Sequence, residues 1–331
     1  MSTTNPLPPL PPIGRSVRAY FAPVDRVHRT PTLFDPSVNG RFSVEAPPAP
    51  WLSLGWIENF TRKSASKFGD LVTGAPGTTQ MQVRTTVDAT LAFRFKCWTK
   101  LSMALAAGSQ HMNLLVPAAG GAADGSGSKG VPPVNLATGS TATFLALAAS
   151  DAAGFSAGSL VAVDLDYAGQ TGYVGSGVDA AYVSSAAAVN SDPDYIRRVT
   201  FNVARVASVS TGPTPGLQLA QPLLAGVPAA GMRVQPFSGF VDREGGCFFQ
   251  EWSALFVIDG QQGERILYHY PRLQSMAGPA EESSALAAPL AGPLVRIDLS
   301  ASFRALPVTD ANDGERVVCF RSFLPSPMTL V

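Results

Sequence analysis

Hydrophobic and polar positions alternate strictly along residues 82–98, QVRTTVDATLAFRFKCW. Side chains of a β-strand point alternately to its two faces, so this segment presents one apolar face and one polar face. A usual strand has only about 5–6 residues. The length of the run therefore predicts a curved barrel strand, or a strand that extends past a single sheet. The apolar face carries Val83, Thr85, Val87, Ala89, Leu91, Phe93, Phe95 and Cys97.

A helical pattern begins where this alternation ends, in WTKLSMALAAG at residues 98–108. Leu101 and Leu105 are four residues apart, which places them on one face of a helix, and Gly108 stands where a C-terminal cap is expected. The sequence predicts a short helix here that packs on the sheet.

Further segments have the pattern of strands in the same sheet. Residues 294–306, LVRIDLSASFRAL, repeat the alternation, whereas residues 247–259 are apolar at both parities, which is typical of a central strand covered on both sides. A turn at 259–264 leads to a return strand at 265–273, and 316–324 is the last strand. We expect a mainly β fold, a β-sandwich or barrel with one flanking short helix.

The first strand of this sheet is expected at 51–60, WLSLGWIENF, with Leu52, Leu54 and Trp56 on one side. It leads into residues 61–80, which are polar and rich in glycine and predict a loop.

The pattern of hydrophobic and turn-forming residues changes in the middle of the chain. Short strand candidates separated by glycine and proline turns follow a low-complexity segment, and their spacing predicts a small inserted β-barrel. The expected organisation is a proline-rich extended N-terminal arm (1–34), a first part of the main β domain (35–115), a Gly/Ala/Ser-rich connector (116–143), the inserted small β-barrel (144–237) and a second part of the main domain (238–331).

Composition narrows the classes of function. The chain has 24 basic and 24 acidic residues, so nothing marks it as a whole as a binder of nucleic acid or of anionic membranes. Charged residues make up 15% of the chain, below the usual value of about 25%, which is typical either of a surface buried against partners or of a plain apolar-rich β protein. The three cysteines argue against a disulfide framework, and we expect a soluble protein without a membrane anchor that is made in a cytoplasm.

Candidate catalytic motifs are weak. GFSAG at 154–158 places Ser156 in a G-x-S-x-G pattern, but that elbow needs a helix after it, and the following residues have a strand pattern; His269 is the only downstream histidine. Asp164 and Asp166 are two residues apart without a third ligand nearby. The sequence therefore predicts no enzyme, no metal and no cofactor, and DANDGE at 310–315 predicts a hairpin turn.

The polar faces of the two long alternating strands are more informative. They face either bulk solvent or, in a sharper hypothesis, a water-filled channel shared by several subunits. The candidate channel-lining residues are Arg84, Thr86, Asp88, Thr90, Arg94, Lys96, Arg296, Asp298, Ser300, Ser302 and Arg304.

The order of these elements resembles the tail tube (major tail) proteins of long-tailed bacteriophages, which share their fold with the tube protein of type VI secretion. The resemblance covers roughly 35–115 and 238–331, from LSLGWIENF through the helix to YHYPRLQ and LVRIDLSASFRAL. It implies hexameric rings that stack into a hollow tube, through which DNA passes without specific binding. The arginines on the polar faces depart from the acidic lumens of that family.

The resemblance also implies partners and a location. The polar faces would line the lumen, the inserted barrel would project outward, and the segment with Gly69, Asp70, Gly74 and Gly77 would reach the next ring. Expected partners are further copies of the chain, with tape-measure, terminator, baseplate or sheath proteins, in a virion tail assembled in the host cytoplasm. Two alternatives stay open: another β-rich virion component such as a tail terminator, baseplate or decoration protein, and a carbohydrate-binding β module.

Overall fold

The computed structural model describes residues 14–24, 30–48, 50–107, 112–116, 131, 133–165, 202–223, 226–228, 230–241, 251–261, 263–276, 280–286 and 294–326. This part of the chain is mainly β-structure, as the sequence predicts. Its helices are α1 (Pro36–Asn39), α2 (Lys100–Ala107) and α3 (Ala149–Ala152). The predicted short helix is confirmed as α2.

The strands form a large sheet, a second sheet and a small hairpin. The large sheet contains β1 (Gly14–Pro23), β2 (Leu52–Thr73), β3 (Thr78–Phe95), β11 (Glu251–Gly260), β12 (Arg265–Ser275), β13 (Ala280–Leu286), β14 (Leu294–Leu306) and β17 (Phe320–Leu324). The second sheet contains β4 (Met112–Leu115), β5 (Val134–Asn135), β6 (Phe144–Ala146), β7 (Leu160–Leu165), β8 (Val203–Ser210), β9 (Gly216–Leu219) and β10 (Met232–Val241). The hairpin is β15 (Val308–Thr309) with β16 (Arg316–Val317).

The large sheet closes on itself. Its order is β13-β14-β3-β2-β1-β11-β12-β17, and β14 also pairs with β12, so the strands from β14 to β12 form a closed ring. Rings of Phe21, Phe93, Phe256 and Phe303 pack inside, with centroids 5.6–6.3 Å apart. A closed sheet hides the inward side chains of every strand, which explains the alternation in β3 and β14.

A segment outside the barrel covers β1, β11 and β12. We call residues 30–48 the strap. Tyr20 donates a hydrogen bond to the Val44 carbonyl at 2.8 Å, and the Arg265 guanidinium donates to the carbonyls of Gly40 and Phe42 at 3.0 and 2.9 Å. Because the strap buries the outer face of β11 while the barrel buries its inner face, the prediction of a doubly covered central strand is confirmed.

Helix α2 packs against one end of the barrel, where Leu105 and Ala106 join its core. The Ser275 hydroxyl donates to the carbonyl of Ala106 at 3.1 Å, which ties the end of the helix to β12. The predicted cap, Gly108, lies outside the described residues.

The N-terminal boundary predicted at residue 34 is wrong. Strand β1 lies between β2 and β11 in the barrel, and its Tyr20 and Phe21 are fully buried. The prolines of residues 6–12 obscured an ordinary apolar strand that follows them. Residues 1–13 lie outside the described part of the chain.

The inserted domain is wider than predicted. Its sheet, in the order β4-β10-β7-β8-β9-β6 with β5 beside β10, is open over the described residues, and it has its own hydrophobic core. Strands β4 and β5 lie outside the predicted range 144–237, because apolar residues at both ends of the low-complexity connector pair with β10. Residues 166–201 lie outside the described residues.

The loop predicted at residues 61–80 is instead most of a long β-hairpin. β2 and β3 stay paired from Ile57 opposite Phe95 out to Thr73 opposite Thr78, and Gly74, with a φ of 90°, opens the turn. Threonine, valine and methionine are compatible with extended pairing even where nothing is buried, so polarity alone was a poor sign of a loop. We call residues 63–87, most of which lie beyond the barrel, the hairpin arm.

Backbone irregularities also change the predicted face of β2. Gly55 has a φ of 73° and Asn59 a φ of 53°, and the pairing register shifts at both places. An extra residue reverses the side to which later side chains point. Leu52 and Ile57 therefore both enter the core, whereas Trp56 is 36% exposed and contacts the Arg18 guanidinium 4.1 Å above its ring.

Candidate assembly surfaces

The hairpin arm exposes apolar side chains far from the barrel core. From residue 64 to the turn it extends about 30 Å at the usual rise of a strand. Phe68, Leu71, Val72, Met81 and Val83 are each between 52% and 56% exposed. Two isolated strands are marginally stable in water, and contiguous exposed apolar side chains mark contact surfaces. The arm thus has the composition of a segment that packs against another molecule.

Both faces of the arm carry apolar groups, because a bulge at Thr85 changes the register. Lys67 lies opposite Thr86, but the next residue, Phe68, lies opposite Arg84. Paired residues share a face, so Arg84 and Thr86 point to opposite faces of the arm. The Arg84 guanidinium lies 5.8 Å from the centre of the Phe68 ring, in agreement with this placement.

The residues predicted to reach a neighbouring ring all lie on the arm. Gly69 and Asp70 are strand residues of β2, opposite Val83 and Gln82, while Gly74 and Gly77 belong to the turn. A Cβ atom on Gly69 would lie 3.2 Å from the Thr85 methyl group, so this glycine leaves room for the bulge. These residues shape the arm rather than a flexible loop.

The predicted channel-lining residues form one continuous face, with one exception. Register pairs place Ser300 opposite Arg94 and Arg304 opposite Thr90, so the even-numbered residues of β3 and β14 share a side of the sheet. The exception is Arg84, which the bulge turns to the other side. We call this side the polar face. All the predicted residues except Arg84 lie on it: Thr86, Asp88, Thr90, Arg94, Lys96, Arg296, Asp298, Ser300, Ser302 and Arg304.

Each of the four basic residues that the sequence predicted for this face and that lie on it has an acidic partner. The ion pairs are Arg304–Asp88 at 3.2 Å, Lys96–Glu58 at 3.2 Å, Arg296–Glu58 at 3.6 Å, Arg94–Asp298 at 3.5 Å, Arg296–Asp298 at 2.5 Å and Arg94–Glu282 at 3.9 Å. Outside the hairpin arm, the face is therefore mixed and close to neutral rather than basic. Sequence reasoning missed Glu58 and Glu282, because they come from β2 and β13 and join the face only through strand register.

Asp298 differs from the other acids of this face because it is 6% exposed. We expect Asp298→Ala to lower the free energy of unfolding by about 2 kcal/mol, since it leaves the half-buried Arg94 guanidinium without its closest carboxylate. The exposed Asp88 is the matched control, and Asp88→Ala should cost under about 1 kcal/mol. Urea denaturation of both variants measures the difference, and equal losses would contradict this assignment.

His269, which the sequence offered as a triad member, is a structural residue. Its Nδ1 lies 3.3 Å from the Ala254 carbonyl, and its Nε2 accepts a hydrogen bond from the Phe34 amide at 3.4 Å. The ring stacks on Phe320 and meets Trp51 edge to face. Burial lowers the pKa of His269 to about 4, so the ring is neutral near pH 7. In this form it connects the strap to the barrel through its hydrogen bond from Phe34.

This shift predicts a pH dependence of stability. Unfolding exposes His269 and returns its pKa to about 6.5, so the unfolded chain binds a proton that the folded chain rejects between pH 4 and 6.5. The contribution of neutral His269 to the free energy of unfolding is complete above pH 6.5 and falls by about 3 kcal/mol as the pH drops to 4. Urea denaturation at several pH values should show a smaller loss in His269→Gln than in the native chain. Parallel pH profiles would contradict the shift.

The other candidate chemical groups do not come together. Ser156 is exposed in a turn between α3 and β7, so a strand follows it where a nucleophile elbow needs a helix. Asp166 lies outside the described residues, and the described residues hold no group of three metal-ligating side chains. Cys97, expected on the buried face of β3, is exposed because the strand ends at Phe95.

Comparison with protein-family models gives no match for this chain, and comparison with curated proteins gives none either. Within the described part of the chain, no helix combines the length and apolar character needed to cross a membrane.

Proposed function

We propose that the protein is a structural subunit that assembles into stacked rings of a hollow phage tail tube, through which DNA is delivered. The observation that carries this proposal is the hairpin arm, whose exposed apolar side chains lie on both faces. A segment of this kind is stable when a neighbouring molecule covers it. Further copies of the same chain are the proposed neighbours.

The barrel and its polar face supply the other properties that a conduit needs. The closed ring of strands is a rigid wall, and its ion pairs leave the polar face close to neutral outside the hairpin arm. Sequence-independent binding of nucleic acid comes from basic residues that neutralise phosphates. A wall whose arginines are already paired with carboxylates would let DNA slide without holding it.

In this proposal the polar face lines the lumen, and the sheet of β4 to β10 lies on the outside. Tape-measure, terminator, baseplate or sheath proteins would meet the ends or the outside of the tube, in a virion assembled in the host cytoplasm. The protein would act by geometry, without catalysis or a cofactor.

Sedimentation velocity over a concentration series tests this proposal. We expect the monomer to give way to ring-sized species and then to a broad distribution of much larger ones as concentration rises. A monodisperse monomer or dimer up to the highest concentration would refute the proposal. Discrete rings that never grow further would favour a terminator or baseplate component instead.

A further inference from the structure

Several strand edges of the barrel sheet have no neighbouring strand among the described residues, and β2 and β13 provide two of them. β2 pairs with β1 only as far as Ile57, so along the arm it has β3 on one side and a free edge on the other. β13 pairs with β14 alone and is the end strand of the sheet. Free edges present unpaired amide and carbonyl groups that can accept a further strand.

These two edges lie at opposite ends of β3. The arm is the continuation of β3 towards Thr78, whereas Arg94 at the other end pairs with Ser300. The residues of β14 that precede Ser300 run past the end of β3, away from the arm, and pair with β13 there. A head-to-tail arrangement of two copies therefore brings the arm of one towards the β13 edge of the next.

The two edges carry opposite charge. The exposed charged residues of the arm are three basic and one acidic: Lys63, Lys67, Arg84 and Asp70. β13 contributes two exposed acidic residues, Glu281 and Glu282, and no basic one. Within the described residues, neither arm lysine forms an ion pair, and neither does Glu281.

Resting on the tube proposed above, we propose that the β2 edge of the arm adds as a strand to the β13 edge of the next copy. The arm lysines share the polar face with Thr86 and Thr90, which lie opposite them, and Glu282 shares it with Asp298. Strand addition that keeps the polar face on one side brings the lysines beside Glu282. The sheet then continues from one ring into the next.

The other face of the same junction combines apolar and charged groups that are also complementary. Ile297, opposite Ser283, is 57% exposed on the face that Glu281 shares. Strand addition brings Phe68 and Arg84 of the arm to this side. Main-chain hydrogen bonds would supply affinity, while the charges would fix which edge is chosen.

Charge reversal tests this docking on the full-length chain. The arm variant is Lys63→Glu with Lys67→Glu, the edge variant is Glu282→Lys, and the matched control is Asp313→Lys with Glu315→Lys in the exposed turn of the β15–β16 hairpin. The readout is the concentration at which large species first form, measured by light scattering, with circular dichroism to verify folding.

We expect the arm and edge variants each to raise this concentration about tenfold, because like charges then meet at every junction. The control should leave this concentration unchanged, and the variant that combines the three arm and edge substitutions should restore assembly. The docking proposal is wrong if the native chain assembles and the arm and edge variants assemble equally well. It is also wrong if the combined variant fails to assemble. Neither result contradicts the proposed tube. If the native chain does not assemble, both proposals fall.

Discussion

Phe93→Asp is expected to prevent folding of the barrel. Phe93 is 2% exposed, and its ring stacks on Phe303 at 5.6 Å and meets Phe95 and Phe256 at 5.0 and 5.7 Å. Loss of a buried phenylalanine costs about 3–5 kcal/mol, and a carboxylate without a partner in that place costs several more. The sum matches the whole stability of a usual domain, about 5–15 kcal/mol.

Thr90→Asp is the matched control, because it places the same residue on the other face of the same strand. Thr90 lies opposite Arg304 on β14 and Lys63 on β2, so the new carboxylate has basic neighbours. We expect a change in unfolding free energy within about 1 kcal/mol. Circular dichroism and thermal unfolding measure both variants. A folded Phe93→Asp protein, or an unfolded Thr90→Asp one, would show that the faces of β3 are assigned wrongly.

Leu71→Asp combined with Met81→Asp is expected to abolish assembly while the subunit stays folded. The two residues face each other across the arm and are 54% and 56% exposed, so the subunit loses little packing. If these side chains are buried between two copies, the double substitution removes about 3 kcal/mol of apolar burial from each junction. The affinity between neighbouring copies then falls by more than a hundredfold. Light scattering measures assembly, and circular dichroism measures folding.

The control for this pair replaces apolar residues elsewhere in the chain that are even more exposed. Val38 is 75% exposed in α1, and Val227 is 68% exposed near the start of β10. Val38→Asp combined with Val227→Asp should assemble as the native chain does. If the arm variant also assembles normally, the apolar side chains of the arm are not an assembly surface.

The elements that were predicted correctly are those whose hydrophobic pattern lies within a single strand or helix. Alternation identified the inner faces of β3 and β14, four-residue spacing identified α2, and apolar residues at both parities identified the doubly covered β11. Each of these signals depends on burial of neighbouring residues in the chain. Ring closure by β12 and β14 depends on pairing between distant segments, which one sequence does not encode locally.

The arm shows why the candidate surfaces were only partly predictable. Residues 61–80 are polar and exposed in the single chain, and both loops and unpacked strands have that composition. The bulge at Thr85 needs no proline or glycine in its own strand. The sequence therefore contains no sign that the Arg84 side chain points to the other face, except for Gly69 on the paired strand β2. Glu58 and Glu282 likewise became visible as partners of Lys96 and Arg94 only through register.

Negative-stain electron microscopy of the purified native chain tests the central claim most directly. Grids prepared across a concentration series should show rings with a central hole at low concentration and hollow tubes of uniform diameter at high concentration. Single particles of subunit size at every concentration would contradict the claim, and the polar face would then be an ordinary solvent surface.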